Sequence, residues 1–97
     1  MNTILTIEEY SEQIGVPKEQ LIGLSRKHKY TIPRQIYWLY LNTNGKSYRE
    51  IAEIFDRKHP SILVGIRTVK NLIETDDSIL KPYLPFIEKF LHHEHLN

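Results

Sequence analysis

Cysteine is absent from the 97 residues. That excludes disulfide frameworks, cysteine-ligated zinc and thiol nucleophiles, and fits a reducing cytoplasm. Long apolar runs are missing too. The longest, Ile36 to Leu41, is interrupted by tyrosine hydroxyls and falls far short of the roughly 20 residues that span a bilayer. No basic stretch followed by an apolar one marks a secretion signal, so the expected location is the cytoplasm and no membrane partner is expected. No G-x-x-x-x-G-K-S/T loop occurs, so no nucleotide site is expected. No segment alternates apolar and polar residues for long enough to suggest a strand, and neither repeat nor linker is visible. What remains is an ordinary globular composition, 40% hydrophobic and 26% charged, which argues against wholesale disorder. The length suits one domain over residues 1–97.

Net charge is also scarce, at +1, but the average hides a layout. Residues 1–25 carry −3, residues 26–70 carry +7 and residues 71–97 carry −3. A basic middle between acidic ends is what a polyanion-binding face needs. A solvated surface with uneven charge gives the same totals.

Helix signals fill the chain. Thr6 and Glu9 form a capping box, in which the hydroxyl takes a free amide of the first turn and the glutamate reaches back. Ile7, Tyr10 and Ile14 follow at helical spacing until Gly15. Pro17 suits the first turn of a short second helix carrying Leu21, Ile22 and Leu24. Arg26-Lys27-His28-Lys29 has no apolar periodicity and reads as a loop. Thr31 and Pro33 open a third helix to about Asn42, with Ile36, Leu39 and Tyr40 inward, and Asn44-Gly45 ends it with a left-handed backbone. Ser47 and Glu50 repeat the capping box before Ile51, Ile54 and Phe55. After the turn Asp56-Arg57-Lys58, His59 caps a longer helix with Pro60 at its first position, and Ile62, Ile66, Val69 and Ile73 make one stripe with Leu63 alongside. Asp76-Asp77-Ser78 can cap a last helix over about Pro85–His93. The fold class is therefore all-α, five or six short helices around a central helix-turn-helix. Ala52 and Gly65 mark where its two helices approach closely, and Phe55 and Ile66 where they bury each other.

Three ordered segments, Ile32-Pro33-Arg34-Gln35-Ile36, Ser47 through Phe55, and Arg57-Lys58-His59-Pro60-Ser61-Ile62-Leu63, resemble the C-terminal DNA-binding domain of the bacterial chromosomal replication initiator, DnaA. That family shows a P-R-Q triplet opening a helix, an S-x-x-E-I-x-x-x-F helix and an R-D-H-S/T-T-V-L recognition-helix start. The likeness runs from Thr6 to near Leu91 and implies a Trp-repressor-like helix-turn-helix fold with double-stranded DNA as partner. By resemblance, Arg26, beside Lys27 in the basic loop, enters the minor groove. Arg34, Gln35 and Arg57 sit near phosphates, Arg49 lies near the groove edge, and Ser47 is a further DNA-binding residue. Lys58, His59 and Ser61 begin the base-reading helix. Arginine and lysine neutralise phosphate, and a helix N-terminus in the major groove reaches base edges. Arg26, Arg34, Arg49, Arg57 and Lys58 together predict a fall of log K against log salt with slope about −4 to −5. Two departures stand out. Lys58 replaces an acidic residue and cannot accept from cytosine N4, and Pro60 replaces a hydroxyl residue. DNA binding transfers; the family's target sequence does not.

Other signals carry less. His92-His93-Glu94-His95 reads as a solvated tail rather than a metal site, and no cofactor is expected. His28 and His59 lack a visible nucleophile or apolar cleft, so no catalysis is expected. Tyr37, Trp38 and Tyr40 on so apolar a helix read as core rather than a stacking platform, whereas Tyr48 lies near an exposed helix start. A domain that kept the fold as a protein-interaction or assembly unit is the second function class. The sequence leaves a protein partner and self-association open.

Overall fold

The computed structural model describes residues 3–91. Its helices are α1 (Ile7–Ile14), α2 (Lys18–Ile22), α3 (His28–Thr43), α4 (Tyr48–Phe55), α5 (His59–Glu74) and α6 (Leu84–Phe90), with a 3-10 segment Ser78–Tyr83 before the last. No strand occurs among the described residues.

Both capping boxes form. Glu9 N donates to Thr6 Oγ1 at 3.1 Å and Thr6 N to Glu9 Oε1 at 2.8 Å. The same pair of distances joins Glu50 and Ser47. Each box satisfies two amides that a helix start otherwise leaves unpaired. The start of α3 differs from expectation. Tyr30 N and Thr31 N both donate to Lys27 O at 2.9 Å, so His28 and Lys29 are helical and Pro33 stands inside the helix. A proline there forfeits the bond to the Lys29 carbonyl, and Lys29 is exposed in the first turn of the helix. The Pro33 carbonyl in turn accepts the buried Tyr10 hydroxyl. At the other end only Gly45 takes a positive φ, 104°, while Asn44 lies at −99°.

The core is built around α3, which packs against α2, α4 and α5. Ile36, Leu39, Ile51, Ile62, Ile66 and Val69 are almost wholly buried, as is Phe55. Tyr37, Trp38 and Tyr40 are buried as well, and Tyr10 stacks on Tyr37 with ring centroids 4.5 Å apart. A Cβ at Gly65 would stand 2.6 Å from Trp38 Cζ3 and 3.1 Å from Gln35 Cγ. The close approach at Gly65 is thus to α3 and not, as the helix-turn-helix pattern suggested, to α4.

Several apolar residues lie elsewhere than their spacing implied. α2 ends at Ile22, and Leu24 beyond it is 80% exposed. Ile54 is 59% exposed, because the buried stripe of α4 is Ile51, Ala52 and Phe55, and Ile54 falls to one side of it. In α5, Lys58 is the N-cap, His59 the first residue and Pro60 the second. Proline is tolerated there because the first amides of a helix have no internal partner. Asp77 accepts from Ile79 N at 2.9 Å and so opens the 3-10 segment rather than a regular helix. α6 begins at Leu84, with Pro85 in its first turn. The expected extension to His93 and the histidine cluster lie outside the described residues.

Candidate nucleic-acid interface

α4, the left-handed Asp56 (φ 53°) and α5 form the helix-turn-helix, the turn closed by Arg57 N donating to Ala52 O at 2.9 Å. Ile62, Gly65, Ile66 and Val69 bury one face of α5. At about 100° per residue the opposite face carries Pro60, Val64, Arg67 and Asn71, with Ser61 and Thr68 flanking it. Pro60, Ser61, Val64, Arg67 and Asn71 are exposed. Lys58 and His59, at the helix start, are exposed too, and the His59 ring meets Tyr48 edge-on with centroids 5.8 Å apart. No side chain caps α5, leaving its positive dipole end and Lys58 together, an arrangement that favours phosphate.

Arg49, in the first turn of α4, is exposed. Ser47 uses its oxygen to accept from Glu50 N, and its hydroxyl hydrogen can still be donated outward. Bonds from the Ser47 backbone and side chain hold the Glu50 carboxyl below its usual pKa. Arg26 and Lys27, between α2 and α3, are exposed. Among the described residues ion pairing is confined to Lys18 and Glu8, 2.7 Å apart, so Arg26, Lys27, Arg49, Lys58 and Arg67 keep their charge for solvent or ligand.

Arg34 and Arg57 behave differently from their expected place at phosphates. Arg34 is only 5% exposed, and its guanidinium donates from Nε to Leu21 O at 2.8 Å, from Nη1 to Ser25 O at 3.1 Å and from Nη2 to Gln20 O at 2.7 Å. Burial, and then the nearby charge of Arg57, lowers its pKa. A planar fork of donors is what can meet three carbonyls at once. Arg57, half-buried, donates to Gly23 O and, at 3.2 Å, to Phe55 O. Both arginines therefore hold the segment that leads into Arg26. Gln35 is half-buried against Gly65, with its Oε1 enclosed and unpartnered. Of the ten residues nominated from sequence, Arg26, Lys27, Ser47, Arg49, Lys58, His59 and Ser61 are open to solvent, and Arg34, Gln35 and Arg57 turn partly or wholly inward. Val64 and Arg67 share the outward face of α5 and were not nominated, although their helical offset from Ile62, Ile66 and Val69 marks them.

The bacterial dnaA protein helix-turn-helix family model matches residues 5–69. The chromosomal replication initiator protein DnaA 1 of Chlamydia trachomatis is 32% identical over 68 residues, covering 69% of this chain and 15% of that protein. The DnaA 1 protein of Chlamydia pneumoniae is 27% identical over 90 residues, covering 92% and 20% respectively. The DnaA protein of Pseudothermotoga lettingae is 31% identical over 71 residues, covering 72% and 16%. The chain thus spans between 15% and 20% of the length of these relatives. No solved structure matches significantly. With six α-helices among the described residues, the helix-turn-helix at their centre and a family match across most of the chain, this protein belongs to the bacterial DnaA helix-turn-helix family.

Proposed function

We propose that this chain binds double-stranded DNA with a sequence preference and catalyses no reaction, acting in the cytoplasm as one domain in the control of replication or transcription. The observation that carries the proposal is the joint exposure of Lys58, His59 and Ser61 at the start of α5 with Arg49 and Arg26 on neighbouring elements, none of them ion-paired among the described residues. The relatives' name, chromosomal replication initiator, supports the replication setting.

In this reading α5 enters the major groove, where all four base pairs differ, and Lys58 donates to guanine O6 or N7. Arg26 enters the adjoining minor groove, where arginine favours narrow A·T-rich stretches. Lys27, Ser47 and Arg49 meet phosphates, while Arg34 and Arg57 hold the Arg26 loop. Gln35 serves packing beside Gly65.

Selection of preferred duplexes from a random pool tests this, with Arg26→Ala and Lys58→Ala run alongside. Arg26→Ala should weaken most duplexes and lower preference for an A·T flank. Lys58→Ala should relax one guanine, by about 1–3 kcal/mol. Enrichment of no sequence by the parent would contradict the proposal. A second reading, a protein-interaction module, draws on exposed Ile22 and Ile54 beside an apolar groove of about 450 Å³ that Ile4, Tyr37 and Leu41 also line.

A further inference from the structure

Between Ser61 and Arg67 the outward face of α5 carries no hydrogen-bonding side chain. Val64 occupies that stretch, 56% exposed, and one turn earlier stands Pro60, also exposed and without donor or acceptor on its ring. Thr68, one turn later, donates its hydroxyl hydrogen to Val64 O at 2.8 Å, so that donor is spent on the helix itself. The charged and amide side chains of this face, Arg67 and Asn71, come only further along. Val64 has no core role, since Ile62, Gly65, Ile66 and Val69 bury the other side. As a β-branched residue it also lowers helix propensity relative to alanine. An exposed apolar side chain there is unexplained by packing and by helix formation.

We infer that Val64 is a specificity-determining residue that reads the 5-methyl group of a thymine. The inference rests on the proposal that α5 lies in the major groove. Among base edges in that groove the thymine methyl is the apolar group that distinguishes one pair from the others. A branched apolar side chain gains by covering it, and gains nothing comparable from cytosine, which carries only hydrogen at C5. With Pro60 lining the same stretch, this part of the site favours a thymine methyl over a hydrogen-bonded contact.

The test replaces each thymine of a selected duplex, one at a time, by deoxyuridine, which pairs identically and lacks only the methyl. Affinities are measured by fluorescence anisotropy for the parent, Val64→Ala and Val64→Thr. At one thymine the parent should lose affinity about fourfold, the worth of one buried methyl-sized group. Val64→Ala should bind the thymine duplex about as weakly as the parent binds the deoxyuridine duplex, and lose little further on replacement. Val64→Thr, which keeps one of the two methyls, should fall between. Circular dichroism should show unchanged helix content in both variants, since Val64 is exposed. Indifference of the parent to deoxyuridine at every thymine would overturn the inference while leaving duplex binding intact. An equal loss in Val64→Ala would assign the methyl's effect to duplex shape and overturn it too. A parent that binds no duplex would instead contradict the DNA-binding proposal, and the inference with it.

Discussion

Arg34 and Arg57 donate to carbonyls of one short stretch of chain: Arg34 to Gln20, Leu21 and Ser25, Arg57 to Gly23. One guanidinium comes from α3 and the other from the turn that opens α5. Arg26 follows this stretch directly, so the basic loop is tied both to the core and to the start of the outward-facing helix. Burying the Arg34 guanidinium, and then placing the Arg57 charge beside it, is costly, as the lowered pKa of Arg34 reflects, and four carbonyl acceptors offset that cost.

Arg34→Ala should destabilise the fold by about 2–3 kcal/mol, since it leaves buried carbonyls without donors. Arg34→Lys should recover only part, because an ammonium does not reproduce the planar fork. Urea denaturation measures both, and a change below about 0.5 kcal/mol for Arg34→Ala, the range of ordinary surface changes, would mean the guanidinium holds nothing. Arg57→Ala should cost less but lower A·T-flank preference as Arg26→Ala does, because the loop loses its tether to α5.

Gly65→Ala sets helix propensity against packing. Alanine gains about 1 kcal/mol as a helix former. The added Cβ, however, meets the Trp38 ring at 2.6 Å, and overpacking of a buried site costs about 1–3 kcal/mol. The variant should therefore be no more stable than the parent, and Trp38→Phe in the same chain should relieve part of the strain. A thermal midpoint raised by Gly65→Ala alone would contradict this packing.

Alkali should unfold the protein. Burial pushes the Tyr37 hydroxyl up to about 12 and Tyr10 well above its ordinary value, and each donates to a carbonyl, of Leu5 and Pro33 respectively. A raised acid pKa stabilises the folded state fully below the unfolded value, near 10, and that contribution is lost as pH rises through the folded values. The urea midpoint should fall between about pH 10 and 12, and Tyr37→Phe should flatten the fall. A midpoint constant over that range would contradict the burial of these hydroxyls.

How much was legible in the sequence depended on how local each cause was. The capping boxes of Thr6 with Glu9 and Ser47 with Glu50 depend on four consecutive residues, and both formed. The start of α3 at His28 rests on backbone bonds to Lys27 O in a charged stretch that carries no apolar signal. Ile54 shared its spacing with the buried stripe and lost its place to Ala52. Arg34 was the hardest to read, because its carbonyl partners lie between 9 and 14 residues away and nothing in a P-R-Q triplet tells whether the arginine turns inward.

The salt dependence of duplex affinity tests the central claim most directly. With Arg34 buried and Arg57 spent on carbonyls, the cations of the proposed site that stay free to meet the duplex reduce to four, Arg26, Lys27, Arg49 and Lys58, so log K should fall against log salt with slope about −3 to −4 rather than −4 to −5. Titration of a fluorescent duplex at several salt concentrations gives that slope, and Arg49→Ala should make it shallower by about 1. A slope near zero, or no duplex binding at low salt, would contradict the account.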